Sequence, residues 1–196
     1  MGLHIGLIGR ARSGKDTVGQ WLTNHRGYRR VAFADPLKEM ALRLNPIIEG
    51  SGDSWRLKET VTETGWESAK DAYPEVRRLL QELGAAVRTM DEDFWLRQAL
   101  ATVADVDERT GLPCVITDVR YPNEAESLKR AGFTLVYIDR PGIPHLDHES
   151  EGAIAPDVAD HILINNGTVA DLYRETHVIA DRILCTESRR HEARIY

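Results

Sequence analysis

Near the amino terminus, glycine and lysine occur at the spacing of a phosphate-binding loop. Gly9 is followed by four residues and then by Gly14 and Lys15, between an apolar run and a segment with helical periodicity. Glycines let the backbone curl so that its N–H groups converge on phosphate oxygens, and the start of the helix adds partial positive charge. Lys15 then reaches the terminal phosphates as a point charge. The stretch therefore predicts a site for a nucleoside triphosphate.

The residues after the lysine depart from the usual form of this loop. The position that normally supplies a magnesium-binding hydroxyl is Asp16, and Thr17 follows it. Either Asp16 acts through a magnesium-bound water, or Thr17 takes the hydroxyl role, or Asp16 is only a favourable acidic residue in the first helical turn. Asp118 ends the apolar run PCVITD, a second place where such proteins present a carboxylate toward magnesium. We predict Mg²⁺ as cofactor, with Asp16, Thr17 and Asp118 as candidate ligands.

Arginine dominates the basic residues of the chain. Of 25 lysines and arginines, five are lysine and 20 are arginine. The planar guanidinium pairs with phosphate oxygens in bidentate fashion, although a GC-rich genome would also enrich arginine. Arg120 and Arg140 come just after predicted strands, where they could bring positive charge to a phosphoryl group in transfer. Arg97 is interpreted instead as a solvated residue on a helix.

The surplus of cations favours a phosphate acceptor over a hydroxyl acceptor. A hydroxyl acceptor benefits from a carboxylate base, whereas a phosphate monoester is already an oxyanion near neutral pH and needs its charge neutralised. The mostly helical segment 36–110 contains the cations for such a site: Lys38, Arg77, Arg78 and Arg88. Asp35 could hold a sugar hydroxyl, an amine or a magnesium-bound water. Phe94 and Trp95 offer surface for a nucleobase, although aromatics at helical spacing are more often core.

Five strand-like runs alternate with helical runs, and they must position these residues. The runs are LHIGLIG, YRRVAFAD, PCVITD, FTLVYIDRPG and HILINNG. This alternation predicts an α/β fold, a five-stranded parallel sheet flanked by helices, and ligands bind at the carboxyl ends of such strands. Those ends are polar: Gly9, Asp35, Asp118, Arg140 and Asn165. Asp35 is also predicted to cap the next helix, which has Pro36 in its first turn.

Length and composition limit the organisation and the partners. The 196 residues predict a single domain, with segment 36–110 as a helical substrate-binding insertion and 141–158 as a lid loop. A net charge of −6 disfavours a nucleic-acid polymer, and no apolar run is long enough to span a membrane. The amino terminus lacks the features of a signal peptide, which predicts a cytoplasmic protein. Cys114 and Cys185 are expected to be reduced thiols, with Cys114 in the core.

The stretch HLDHESE in the predicted lid invites a metal-site interpretation. Its candidate ligands are His145, Asp147, His148 and Glu149, but their spacing is not that of a helical His-Glu-x-x-His site. A hydrogen-bonding role in lid closure is favoured for His148, Ser150 and Glu151.

Three classes of triphosphate-binding protein compete at this point. A guanine-nucleotide switch requires an Asn-Lys-x-Asp string, which the sequence does not contain. A motor ATPase usually requires more chain or an oligomeric ring, and nothing in the sequence supports either. The basic segment and the arginines at strand ends favour a phosphotransferase.

Several stretches together resemble the phage-type deoxynucleoside monophosphate kinases, in order across roughly residues 3–172. They are GRARSGKDT, FADPLKE, LLQELGAAVR, DFWLRQAL, VITDVRYPNEAE, HESE and ILINNGT. The resemblance implies a P-loop kinase fold and transfer of the ATP γ-phosphoryl group to a dNMP with Mg²⁺. It also makes a homodimer plausible. The alternatives are a kinase of another phosphate monoester, similar to phosphomevalonate or dephospho-coenzyme A kinases, and a non-catalytic nucleotide-binding module.

The resemblance also implies roles for individual residues. The ATP-binding residues would be Gly9, Arg12, Ser13, Gly14, Lys15, Asp16 and Thr17, with Asn166, Gly167 and Thr168 at the adenine. The monophosphate-binding residues would be Asp35, Lys38, Arg78, Gln81, Arg88 and Trp95. The catalytic residues would be Lys15, Asp118, Arg120 and Arg140, with Asp118 and Arg120 between the two substrates.

Overall fold

The computed structural model describes residues 3–49, 54–143 and 152–195 and contains a parallel five-stranded sheet. Its strands are β1 (Ile5–Ile8), β2 (Arg29–Val31), β5 (Cys114–Val119), β6 (Thr134–Asp139) and β7 (His161–Ile164). The helices that belong with them are α1 (Lys15–Arg26), most of α5 (Phe94–Thr110), α6 (Pro122–Arg130) and α7 (Val169–Ile195).

The strand order is β2-β5-β1-β6-β7, which places β1 at the centre. All four residues of β1 are buried, as expected for an apolar strand with neighbours on both sides. Helices α1 and α7 close one face, where Val18, Leu22, Ile179 and Ile183 join the buried residues of the strands. The predicted five-stranded parallel sheet is therefore confirmed.

Residue Asp35 does not end a strand, and that prediction is wrong. Strand β2 stops at Val31, and helix α2 (Ala34–Leu44) begins one residue before Asp35. Phe33 occupies the cap position with helical φ and ψ of −61° and −29° and no side-chain cap. The predicted capping role of Asp35 is wrong for the same reason. The carboxylate lies in the first turn of α2, where its negative charge interacts favourably with the positive end of the helix dipole. Pro36 also lies in the first turn, as predicted.

Contacts divide the chain into two compact units. One unit is the sheet with its helices, Met1–Ala32 and Ala99–Tyr196, and the other is the helical unit Phe33–Gln98. The helical unit contains α2, an antiparallel hairpin of β3 (Ile47–Glu49) and β4 (Ser54–Arg56), α3 (Leu57–Ala72) and α4 (Pro74–Met90). Its core is formed by Ala41, Ile48, Leu57, Ala69 and Val76. The predicted insertion 36–110 overlaps this unit, and the domain assignment stays a prediction.

Two elements of the helical unit have no counterpart in the sequence-based expectations. The polar segment 45–74 is only weakly periodic, yet it contains the β3–β4 hairpin and α3. Three-residue strands are too short for an alternating pattern, and α3 is broken at Gly65, whose φ and ψ are 78° and 163°. A positive φ of this kind is accessible to glycine and costly for other residues. The break shifts the helical periodicity and conceals the helix.

Two further expectations concern the cysteines and the membrane. Cys114 is fully buried and Cys185 is exposed, and both are free thiols, as predicted. Among the described residues, no helix has both the length and the apolar character needed to cross a bilayer.

Candidate active site

The phosphate-binding loop connects the central strand to α1, and its two glycines have backbone conformations that other residues rarely adopt. Gly9 has φ +147° and Gly14 has φ +108°. A Cβ atom on Gly9 would lie 2.6 Å from the carbonyl oxygen of Ile138, and one on Gly14 would lie 2.8 Å from Nδ2 of Asn165. Both the torsions and the space therefore require glycine, which is the physical basis of the predicted spacing.

Lys15, the first residue of α1, folds back over this loop. Its ammonium donates hydrogen bonds to the carbonyl oxygens of Gly9, at 2.5 Å, and Arg10, at 2.7 Å. Asp16 is exposed in the first helical turn, and Thr17 is half-buried beside it. The loop thus gathers one cation, one carboxylate and one hydroxyl at the positive end of a twelve-residue helix.

Two residues that follow other strands hold the backbone of the loop. Nδ2 of Asn165, just past β7, donates to the carbonyl oxygen of Ser13 at 2.8 Å. Nη1 of Arg140, just past β6, donates to the carbonyl oxygen of Arg12 at 3.1 Å. Arg12 itself has φ +62°, so the anchored segment is conformationally strained. Sequence reasoning identified Asn165 only as a polar strand end and missed its contact with the loop, because the partners are 152 residues apart.

The hydroxyl of Ser13 is buried at the centre of the loop. Ser13 is fully buried, and its Oγ has no hydrogen-bond partner among the described residues. A buried polar atom without a partner is rare in native proteins and often marks a site completed by a ligand, an ion or a water. The orphaned hydroxyl therefore fits a loop that surrounds a phosphate group.

The end of β5 brings a predicted catalytic residue to the same edge of the sheet. Asp118 is half-buried near the end of the strand, and Arg120 is exposed just beyond it. A shallow depression is lined by Gly9, Arg10, Arg120 and Ile154, so the start of the loop and Arg120 face the same space. The structure thus brings together Gly9 and Arg120 of the predicted site residues.

The predicted adenine loop leads into the last helix. Thr168 caps α7, because its Oγ1 accepts the backbone N–H of Asp171 at 3.2 Å. In return, Oδ2 of Asp171 accepts the N–H and the hydroxyl of Thr168, at 2.8 and 2.7 Å. These hydrogen bonds are the main reason why the pKa of Asp171 lies below its usual range. Asn165 and the Asn166–Thr168 loop therefore continue directly from an anchor of the phosphate-binding loop to a capped helix.

The predicted monophosphate-binding residues lie in the helical unit. Three of them, Arg78, Gln81 and Arg88, share the polar face of α4, since their spacing of three and seven residues returns to one side of a helix. Arg78 is exposed and bound by two glutamates, Glu75 and Glu82, at 2.7 and 2.6 Å. Arg88 is mostly buried and lies 4.0 Å from a carboxylate oxygen of Glu92.

The remaining residues of this set are on α2 and α5. The ammonium of Lys38 lies 5.7 Å from the centre of the Trp66 ring, a cation–π distance. Trp95 is buried, and its Nε1 donates to the carbonyl oxygen of Gly84 at 3.3 Å, so its ring forms part of this unit's interior. Arg97, interpreted as a solvated residue, is exposed and paired with Asp91.

Of the predicted lid 141–158, the histidine- and acid-rich stretch that includes His145, Asp147, His148, Glu149, Ser150 and Glu151 lies outside the described residues.

A scan against models of protein families matches residues 53–176 to the deoxynucleotide monophosphate kinase model. The chain belongs to this family. The match covers most of the chain, from the helical unit through β5 and Arg120 to the start of α7. Membership in the deoxynucleotide monophosphate kinase family confirms the predicted resemblance and the predicted phosphotransferase.

Individual relatives agree with the family assignment. A protein of Acanthamoeba polyphaga mimivirus, provisionally named deoxynucleotide monophosphate kinase, is 28% identical over 183 residues, covering 87% of this chain and 92% of the viral one. The deoxynucleotide monophosphate kinase of Escherichia phage RB69 is 27% identical over 107 residues, covering 53% of this chain and 44% of the phage protein.

A solved structure shares the fold. The dephospho-CoA kinase of Campylobacter jejuni aligns with 93% of this chain and 98% of its own, with a TM-score of 0.51 and 14% sequence identity. The likeness confirms the predicted P-loop kinase fold and says nothing about the acceptor.

Proposed function

We propose that this protein transfers the γ-phosphoryl group of ATP to a deoxynucleoside monophosphate and releases ADP and a dNDP. The main support is the phosphate-binding loop, in which two positions require glycine and Lys15 contacts the loop carbonyls. The chain that contains this loop belongs to the deoxynucleotide monophosphate kinase family. In the reaction an oxygen of the acceptor phosphate bonds to the γ-phosphorus while the bond to the β–γ bridging oxygen breaks. No proton has to be removed from an ionised acceptor, so neutralising negative charge is the main task.

The residues of the sheet unit are assigned to ATP. Backbone N–H groups of the loop between Gly9 and Gly14 bind the phosphates, and Lys15 moves from its loop carbonyls to the terminal phosphates. Arg120 and Arg140 supply positive charge to the phosphoryl group in transfer. The loop formed by Asn166, Gly167 and Thr168 borders the adenine.

Magnesium is proposed as the cofactor because the oxygen donors of this site suit it. Asp118 and Thr17 are half-buried, Asp16 is exposed and directly precedes Thr17, and the buried Ser13 hydroxyl has no partner among the described residues. Mg²⁺ prefers such oxygen ligands and keeps several waters. Asp16, Thr17 and Asp118 would hold it, directly or through water, and it would neutralise charge on the β- and γ-phosphates.

The residues of the helical unit are assigned to the acceptor. Lys38 and Arg88 would bind the 5′-phosphate, Arg78 and Gln81 would contribute from the same polar face of α4, and Asp35 would bind the sugar or a base amine. Trp95 would support the base pocket from the interior of the unit. Arg78 would exchange its exposed contacts with Glu75 and Glu82 for the phosphate.

Partners and location follow from the proposed reaction. ATP and a dNMP are the expected ligands, a homodimer stays a prediction, and neither a nucleic-acid polymer nor a membrane is required. The cytoplasm, of the host if the chain is phage-encoded, is where both nucleotides are available.

The experiment is a turnover assay with ATP, Mg²⁺ and one acceptor at a time, with ADP and the phosphorylated product resolved by chromatography. The acceptors are the four dNMPs, the four NMPs, dephospho-coenzyme A and phosphomevalonate. We expect at least one dNMP to be phosphorylated and Lys15→Met to lose at least about 100-fold in kcat/KM, because a preorganised charge at the phosphates is gone. Lys129→Met, at an exposed lysine on α6, is the matched control. Turnover of dephospho-coenzyme A or phosphomevalonate instead of any dNMP would contradict the proposal.

A further inference from the structure

A buried carboxylate holds the chain segment that carries Arg120. Glu124 is 4% exposed on α6. Its Oε2 accepts hydrogen bonds from the backbone N–H groups of Arg120, at 2.8 Å, and Tyr121, at 3.0 Å. Burying a carboxylate is unfavourable unless charge-assisted hydrogen bonds compensate, and these two backbone donors supply that compensation.

The contact with Arg120 exceeds what helix capping requires. Tyr121 is the cap residue of α6, and a glutamate three residues later commonly accepts the N–H of the cap. Arg120 precedes the cap and lies outside the helix, so the second hydrogen bond does not extend the helical pattern. It restrains the backbone of Arg120 itself.

The other side of Arg120 is fixed by the sheet. Val119 is 1% exposed and pairs with Ile8, the last residue of β1, after an irregularity in the register of the two strands. The next residues along the two strands are Arg120 and Gly9, and both line the depression at this edge. Arg120 is thus held between a strand pairing on one side and the Glu124 carboxylate on the other.

We propose that Glu124 is a positioning residue, which orients Arg120 toward the phosphoryl group in transfer. The inference rests on the proposed function, in which Arg120 supplies charge to that group. A carboxylate serves here because one of its oxygens can accept two backbone N–H groups at short distance, and the charge that it shares with the other oxygen strengthens both hydrogen bonds. Both hydrogen bonds engage backbone N–H groups, so these contacts restrain the backbone of Arg120 and Tyr121 and do not involve the guanidinium.

The test combines single variants with a double-mutant cycle. Glu124→Ala is expected to lower kcat about 10- to 100-fold, because small misplacements of a catalytic group are costly, while the KM values for ATP and dNMP change less than about threefold. Glu124→Gln keeps an acceptor oxygen and should retain kcat within about threefold of the native protein. Glu126→Ala, on the exposed face of α6, is the matched control and should be silent.

The double variant separates positioning from stability. In an Arg120→Ala background, Glu124→Ala should lower kcat by less than about threefold, since the group that it positions is absent. Equal losses in both backgrounds would overturn the inference and leave the proposed function intact. If Glu124→Ala does not fold, Glu124→Asp takes its place, because its shorter side chain withdraws the acceptor oxygen. A fully active Arg120→Ala would remove Arg120 from the mechanism and overturn the inference with it, and a wild-type protein without dNMP turnover would overturn both proposals.

Discussion

At the scale of single residues, the anchors of the phosphate-binding loop distinguish what sequence can and cannot predict. Gly9, Gly14 and Lys15 are local signals, since their spacing between an apolar run and a helical segment predicts the loop. Asn165 and Glu124 were missed because each holds a backbone group outside its own helix or strand, and such a contact leaves no pattern of residue types. Asn165 additionally acts across 152 residues of sequence. Such contacts are visible only once the fold brings strand ends together.

Replacing Asn165 tests the anchoring of the loop. Asn165 is buried and its amide donates to the Ser13 carbonyl, so Asn165→Ala leaves that carbonyl without this donor. We expect a loss of about 1–3 kcal/mol in the free energy of unfolding and a raised KM for ATP, with the KM for dNMP unchanged. Urea unfolding and steady-state kinetics measure the two effects. Asn166→Ala, one residue further along, is the control for stability.

The buried thiol of Cys114 gives a pH dependence with a defined sign. Burial, reinforced by the charge of Asp107, raises the pKa of this thiol from 9.0 to about 11. Between pH 9 and 11 the unfolded chain has released the proton and the folded chain retains it, so stability falls as pH rises. The loss approaches about 2–3 kcal/mol at pH 11. Cys114→Ala should flatten this part of the stability curve, whereas Cys185→Ala, at the exposed thiol, should not. Identical slopes for the two variants would contradict the assignment.

At the scale of elements, strands and long helices with strong patterns were predictable, and short or broken elements were not. Helix α4 (Pro74–Met90) lies within segment 36–110, which the sequence predicted to be mostly helical. The β3–β4 hairpin and α3 were not predicted individually. Three-residue strands are too short to show alternation, and the break at Gly65 interrupts the helical periodicity of α3. Asp35 was misplaced because the apolar run YRRVAFAD continues smoothly from β2 into the first turn of α2.

The close packing of α1 on β5 is tested by a pair of glycines. A Cβ on Gly19 would lie 2.5 Å from Cγ2 of Thr117, a stiff buried side chain, whereas one on Gly84 of α4 would meet Leu37 at an ordinary 3.4 Å. We expect Gly19→Ala to cost about 1–3 kcal/mol through overpacking and to impair ATP binding, since α1 carries Lys15. Gly84→Ala should stabilise by up to about 1 kcal/mol through helix propensity. Equal effects of the two substitutions on unfolding would contradict this packing account.

At the scale of the whole molecule, the negative net charge conceals local groups of lysine and arginine that could bind anionic substrates. The chain carries −6 overall, yet Lys15, Arg120 and Arg140 gather at one edge of the sheet unit, and Lys38 and Arg88 lie in the helical unit. The family and the fold were predictable because many short stretches agree in order along the chain. The individual binding residues stay proposals, because sequence order does not show which side chains meet a ligand.

Ligand-induced stabilisation tests whether the two residue sets serve different nucleotides. ATP with Mg²⁺ at about 100 times its Kd should stabilise the native protein by about 2.7 kcal/mol, and a dNMP at the same ratio should do likewise. Lys15→Met should abolish the Tm shift caused by ATP and keep that caused by dNMP, and Arg88→Ala should do the reverse. Loss of both shifts in either variant, with folding intact, would contradict the separate assignment.

The central claim is transfer of the γ-phosphoryl group to a monophosphate, and following the label from γ-³²P-ATP tests it most directly. The protein is mixed in a single turnover with Mg²⁺, labelled ATP and the dNMP that it turns over best. We predict that the label appears in the β-phosphate of the dNDP, at a rate that matches ADP formation, and that Lys15→Met prevents it. Label released only as inorganic phosphate would show ATP hydrolysis instead and would contradict the account.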